Sequence, residues 1–170
     1  MLAMKERRAV DVMTHLTGLL DVLIPRGGAG LIRHIVESSS VPVIETGSGI
    51  CHIYVDRGAD LTMACRIVRN AKVSRPSVCN AAETVLVHRD IAAAFLPQMA
   101  EQLRADGVEL RGCPETCAIL SDVAAATEED WATEYGDLIL SVRVVADMDA
   151  ALRHINRYGT GHSEAIVTND

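Results

Sequence analysis

The feature that most constrains the fold is the alternation of short apolar runs with segments of helical period. Apolar runs predict strands at 22–24, 41–44, 53–55, 85–87, 108–110, 138–145 and 165–168. Apolar residues at helical spacing predict helices at 5–18, 31–36, 60–71, 90–105 and 148–157, with an N-cap at Asp60 and a terminator at Gly107. Strands that are apolar on both faces and separated by helices are typical of a mostly parallel sheet with helices on both faces. The sequence therefore predicts an α/β fold.

The acidic composition disfavours several classes of function. Sixteen Lys and Arg against 23 Asp and Glu give a net charge of −7 and a pI near 5.3, so we expect no nucleic-acid partner. No apolar run reaches ~18 residues, so no membrane span is predicted. The start of the chain lacks the apolar core of a signal peptide, and the five cysteines lack the spacing of a disulfide framework. We therefore expect reduced thiols and a cytoplasmic location.

Glycine-rich turns follow the first two predicted strands. Arg26, Gly27 and Gly28 precede a predicted helix, where glycines allow close backbone approach and free helix N–H groups can hold an anion. The spacing is not the common dinucleotide-binding fingerprint, so nucleotide contact and a purely steric turn both stay open. Glu45 opens the second turn, 45–49, at the carboxyl end of a predicted strand, where α/β folds place their sites. Its carboxylate is either a site residue or an exposed turn residue.

The segment 72–83 holds the sharpest candidate for chemistry. Cys79 lies in a predicted loop together with Lys72, Arg75 and Asn80. Nearby cations favour the thiolate, which is the nucleophilic form of cysteine. Asn80 and adjacent backbone N–H groups are suited to stabilise an oxyanion. The alternative is a cysteine that packs as a small buried hydrophobe.

The other cysteines and the histidines give weaker signals. Cys113 and Cys117 are separated by three residues and no second pair follows, so we interpret them as thiols around a turn and predict no metal site. Cys51 is interpreted as a core-facing thiol and His52 as a surface residue. The remaining histidines are scattered, and a His–Cys dyad is neither predicted nor excluded.

Four segments carry a resemblance to a known family. They are 21–32, 43–60, 70–84 and 155–166, and the most specific string is Arg-Pro-Ser-Val-Cys-Asn-Ala-Ala-Glu at 75–83. In these segments the chain resembles the γ-glutamyl phosphate reductases of the aldehyde dehydrogenase superfamily. The similarity runs from about residue 10 to the C-terminus without a large insertion.

The resemblance implies a reaction. Members of the family use NADPH to reduce L-glutamyl 5-phosphate to L-glutamate 5-semialdehyde in proline biosynthesis. Cys79 falls on the family's nucleophile, which is acylated before hydride transfer, and Asn80 lies beside it. Lys72 and Arg75 are the cations expected to bind the substrate's phosphate or carboxylates.

The resemblance also implies cofactor contacts for the nicotinamide dinucleotide NADP(H). Arg26, Gly27 and Gly28 match the cofactor-domain turn, and Glu134 matches a glutamate that contacts the nicotinamide ribose. Glu45 matches the base that activates water in related dehydrogenases. Because the acyl acceptor in this family is phosphate rather than water, that base is not chemically required, and Glu45 is kept as a cofactor contact.

The domain organisation implied is an aldehyde dehydrogenase-like catalytic domain plus the last piece of a Rossmann-like cofactor domain. Residues 1–48 are expected to be a remnant of the cofactor domain, and 49–170 a catalytic domain that is truncated at its C-terminus. The family implies a homo-oligomer acting on small molecules. The alternative function is a truncated, inactive chain that folds and associates. A small thiol acyltransferase using Cys79 without nicotinamide is the third interpretation.

Overall fold

The computed structural model describes residues 6–45 and 47–170, which fall into two compact units, Met1–Ser48 and Gly49–Asp170. Thr46, in the turn that begins at Glu45, and Lys5, at the start of the first predicted helix, lie outside the described residues. Each unit is described by itself below.

The first unit is built on two helices, α1 (Arg7–Met13) and α2 (Ala29–Ser38). The helix predicted over 5–18 ends early, because the Thr14 carbonyl accepts a hydrogen bond from Ser40 N–H at 2.9 Å. The strands predicted at 22–24 and 41–44 form only one parallel bridge, Leu23 to Val43. An isolated bridge of this kind is too short to count as a strand, so that part of the prediction was wrong.

The second unit contains a six-stranded sheet in which every pair of strands is parallel. Its strands are β1 (Cys51–Val55), β2 (Ala82–His88), β3 (Glu109–Gly112), β4 (Ala124–Ala125), β5 (Ile139–Val145) and β6 (Glu164–Val167). The strand order is β4-β3-β5-β2-β1-β6. The predicted strands at 53–55, 85–87, 108–110, 138–145 and 165–168 are confirmed within a few residues, and so is the α/β fold.

Four helices connect these strands, namely α3 (Leu61–Val73), α4 (Arg89–Ala105), α5 (Pro114–Ile119) and α6 (Met148–Tyr158). Asp60 caps α3 as predicted, its carboxylate accepting from Met63 N–H at 2.8 Å. Asp147 caps α6 in the same way at Ala150 N–H. Gly107, which follows α4, has a φ of +78°, a conformation that glycine adopts without steric cost. Within 6–45 and 47–170, no helix is long and apolar enough to cross a membrane.

The core lies on both faces of the sheet. Alternate residues of a strand point to opposite faces, and here Val85 and Val87 pack with α3 and α4. Tyr54 and Leu86 pack on the other face with Ala151 of α6. All seven residues of β2 are buried, as the prediction of a sheet covered on both sides requires.

Two local expectations were wrong, and one strand was missed. The turn expected around Cys113 and Cys117 is the helix α5, which begins at Pro114, a favoured residue at the first helical position. The exposed two-residue strand β4 leaves no periodic signal and was not predicted. His52 was expected on the surface but is 1% exposed, because its strand lies inside the sheet and His154 of α6 packs against its ring at 5.3 Å.

The expected position of Lys72 in the cysteine loop was also wrong. The residue lies in the last turn of α3 and is fully buried, and its Nζ is 2.7 Å from Glu83 Oε2 in β2. Burial raises the pKa of the Glu83 carboxyl, while the Lys72 ammonium opposes the shift. The ion pair joins the two elements that flank the loop at 74–81.

We expect Lys72→Met to lower the free energy of unfolding by about 3–5 kcal/mol, since it leaves the Glu83 carboxylate buried without its cation. Urea denaturation at pH 7 measures the loss. Adding Glu83→Leu should restore most of the stability by removing the unpaired charge. Arg69→Ala, which removes an exposed ion pair with Asp106, is the control and should change stability little. Equal stability of Lys72→Met and Arg69→Ala would contradict the prediction.

Candidate active site

Cys79 lies in the loop at 74–81, at the edge of the sheet where the strands begin. It is exposed, whereas three of the other cysteines are buried. Asn80 and Arg75 in the same loop are exposed too, and the side chains of both are free of hydrogen bonds and ion pairs with the described residues. The structure therefore brings together three of the predicted site residues. It makes Cys79 accessible, in contrast to the alternative of a buried thiol.

The backbone of Cys79 is held by residues at the start of β1. Gly49 packs so closely that a Cβ atom on it would lie 1.5 Å from the Cys79 carbonyl oxygen. The Cys51 thiol donates a hydrogen bond to the same oxygen at 3.3 Å. Only glycine fits at position 49, and the two contacts fix where the loop carries the Cys79 side chain.

Glu134 supports this contact from a third segment. Its Oε1 accepts a hydrogen bond from Gly49 N–H at 2.9 Å, and its Oε2 makes no hydrogen bond with the described residues. The sequence assigned Glu134 to the nicotinamide ribose. The structure places one carboxylate oxygen on Gly49, so the residue also acts on the backbone that packs against Cys79.

A network of polar side chains orders the segment that carries Glu134. Tyr135 OH donates to Asp130 Oδ1 at 2.9 Å and lies 2.8 Å from Ser141 Oγ in β5. Arg111 of β3 donates to Asp130 at 2.7 Å. Burial alone would raise the pKa of Asp130, but hydrogen bonds from Thr127, Arg111 and Tyr135 outweigh it and lower that pKa well below its usual range.

The buried ion pair of Lys72 and Glu83 also contacts the segment that carries Glu134. Glu83 Oε2 binds Lys72, and its Oε1 accepts from Gly136 N–H at 3.3 Å. A fully buried Lys72 has no surface to offer a substrate, so the structure does not support its predicted role in substrate binding. Its side chain instead helps to fix the loops that bear Cys79 and Glu134.

His162 is a further residue of this region. Its Nδ1 lies 3.8 Å from Cys51 Sγ and 3.0 Å from Ser163 Oγ. Burial, followed by the charge of Glu164, raises the pKa of the Cys51 thiol, which favours a neutral thiol that donates to Cys79. No spacing in the sequence links His162 to Cys51, because the contact depends on the pairing of β6 with β1.

The predicted cofactor turn lies in the first unit, at the start of α2. Gly28 is the N-cap of this helix, and a Cβ atom on Gly28 or Gly30 would meet nothing within 4 Å. Arg26 and Gly27 are exposed next to it, and Glu45 is exposed in the same unit. An open helix N-terminus beside an exposed guanidinium fits an anionic phosphate group.

No protein-family model matches the sequence. The chain is 59% identical to Gamma-glutamyl phosphate reductase of Carboxydothermus hydrogenoformans over 170 residues, which is 100% of this chain and 41% of the relative. It is 60% identical to the enzyme of the same name from Moorella thermoacetica over 165 residues, 97% of this chain and 40% of the relative. The chain thus spans about two fifths of the length of these curated relatives.

The solved structures agree with the sequence relatives. The crystal structure of Gamma-glutamyl phosphate reductase from Thermotoga maritima matches with a TM-score of 0.96 and 50% identity, covering 99% of this chain and 41% of the other. An acetylating aldehyde dehydrogenase from Geobacillus thermoglucosidasius matches with a TM-score of 0.72 and 18% identity, covering 97% and 45%. The second match shows the fold alone, and it makes the fold aldehyde dehydrogenase-like, as predicted.

We expect Gly49→Ala to lower the free energy of unfolding by about 1–3 kcal/mol, because the added methyl group forces the Cys79 carbonyl away. Urea denaturation tests this. Gly47→Ala is the matched control, since a Cβ atom at position 47 would meet nothing within 4 Å. Equal stability of the two variants would show that the loop of Cys79 accommodates the methyl group.

We also expect Cys79 to alkylate faster than Cys65 at neutral pH. Cys79 is exposed, whereas Cys65 is 1% exposed and burial raises the pKa of its thiol. Iodoacetamide labelling followed by peptide mass mapping gives the two rates. Cys117, which is partly exposed, serves as the internal reference. Uniform labelling of all five cysteines would count against a reactive Cys79.

Proposed function

We propose that this chain, homologous along its whole length to the γ-glutamyl phosphate reductases, carries the nucleophile of such an enzyme. In this proposal L-glutamyl 5-phosphate is reduced to L-glutamate 5-semialdehyde. The observation that carries the proposal is the exposed Cys79, whose carbonyl is held by Gly49 and Cys51. The names of the relatives indicate the γ-glutamyl phosphate substrate.

The first chemical step belongs to Cys79. Its thiolate attacks the acyl carbon of the substrate, a C–S bond forms, and the C–O bond to phosphate breaks, with phosphate leaving with the electron pair. The exposed Arg75 is placed in the same loop to neutralise the phosphate. Donors suited to the oxyanion are the Asn80 side chain and backbone N–H groups near Cys79.

The second step needs a reductant, and a nicotinamide cofactor, NADPH in this proposal, would supply a hydride for the thioester carbon when bound. Cys79 keeps the acyl group in place during the transfer and then leaves as the C–S bond breaks, which restores the thiolate and releases the aldehyde. Arg26, Gly27 and Gly28 are the residues suited to a cofactor phosphate. Glu45 and the second oxygen of Glu134 are assigned to cofactor contact, with no proton transfer.

The two units take different parts in this proposal. We assign the unit up to Ser48 to the cofactor and the unit from Gly49 to catalysis. The homo-oligomer and the cytoplasmic location implied by the resemblance stay predictions.

A second candidate function is a folded chain that does not turn over. The observation that favours it is coverage, because the 170 residues match 41% of the Carboxydothermus relative. Hydride transfer requires the donor and the thioester within contact distance. The remaining sequence of the relatives has no counterpart in these 170 residues, so their activity does not transfer directly.

We expect acetyl phosphate to acylate Cys79 in the isolated chain, detected as one acetyl group by peptide mass mapping. Cys79→Ser should abolish the label at this position, and Cys117→Ser should leave it unchanged. Failure of acetyl phosphate to label Cys79 would contradict its role as nucleophile.

A separate assay distinguishes the two candidate functions. Glutamate semialdehyde, phosphate and NADP are incubated with the chain, and the reduced nicotinamide is followed by absorbance. We expect no measurable turnover by the chain alone, because the coverage of the relatives is partial. Turnover comparable to that of a full-length relative would exclude the second candidate.

A further inference from the structure

A polar cavity lies along α6, next to the second half of β5. Its volume is about 400 Å³, and three arginines line it, Arg143 of β5 and Arg153 and Arg157 of α6. Neither the loop that carries Cys79 nor Glu134 lines the cavity, so it is separate from the candidate active site.

Carboxylates neutralise the positive charge of these arginines only in part. Arg157 pairs with Glu128, with Nη2 2.6 Å from Oε1, and Glu128 is the carboxylate that lines the cavity. Arg143 and Arg153 have no ion-pair partner among the described residues. Such a concentration of positive charge stands out in a chain whose net charge is −7.

His154 also lines the cavity, and one of its ring nitrogens lacks a hydrogen-bond partner among the described residues. The residue is 5% exposed, and Arg143 Nη1 lies 3.1 Å from its Nδ1. A guanidinium can only donate, so Nδ1 accepts and the ring proton of the neutral imidazole is on Nε2. Burial, followed by the charges of His52, Arg143 and Arg157, lowers the pKa of His154 to about 3, which keeps the ring neutral at pH 7. In the part of the chain that the structure describes, Nε2 has no hydrogen-bond partner.

We propose that this cavity binds a small anion bearing a phosphate group. Guanidinium groups present planar pairs of N–H donors that match phosphate oxygens. Bound phosphate would give Arg143 and Arg153 an anionic partner within ion-pair distance, which no carboxylate of the described residues provides. The proposal is independent of the chemistry at Cys79.

Trp131 makes the binding measurable. It is the only tryptophan of the chain, its ring centre lies 5.5 Å from Arg143 Cζ, and it contacts the ring of His154 edge-on at 5.4 Å. We expect inorganic pyrophosphate and phosphate to change Trp131 fluorescence saturably. Sodium chloride at equal ionic strength is the control for a fluorescence change caused by screening alone. Citrate is the control for a site that binds any polyanion rather than phosphate groups.

Arg153→Gln tests the site directly, because Arg153 is exposed and its side chain makes no hydrogen bond or ion pair with the described residues. We expect it to weaken pyrophosphate binding about tenfold, the loss of one charge-assisted hydrogen bond. Arg66→Gln, an exposed arginine of α3, is the matched control and should bind as the unchanged chain does. The proposal is overturned by an unsaturable response, by an equal response to chloride, by equally tight citrate, or by unchanged binding in Arg153→Gln.

Discussion

The buried ion pair of Lys72 and Glu83 is the interaction on which the rest of the site depends. Two charges removed from water are tolerated only when geometry and further hydrogen bonds are good. Here the 2.7 Å contact is completed by Gly136 N–H on the other carboxylate oxygen. The pair thereby joins α3, β2 and the segment before β5. The loop that carries Cys79 connects α3 to β2.

A series of contacts to the main chain leads from this ion pair to Cys79. Gly136 lies next to Tyr135 and close to Glu134, whose carboxylate holds Gly49 N–H. Gly49 in turn packs against the carbonyl of Cys79. Cys79 is thus positioned through its main chain, which leaves its side chain exposed.

Two groups of side chains in the second unit suit different ligands. At the amino ends of the strands lie Cys79, Asn80 and Arg75, a set suited to acyl transfer. Along α6, the arginines of β5 and α6 line a separate cavity, and among the described residues Arg157 is the one of them with an ion-pair partner.

The sequence by itself predicted most of the local elements and singled out Cys79 as the candidate nucleophile. Apolar periodicity predicted five of the six strands, Asp60 and Gly107 predicted helix ends, and the cations around Cys79 singled out that thiol. Only the tertiary structure decided that Lys72 is buried, that His52 is internal, and that Gly49 touches Cys79. The physical reason is that these features depend on which strands become neighbours. Periodicity reports the burial of a residue within its own element, whereas the contacts that build the site join segments far apart in the chain.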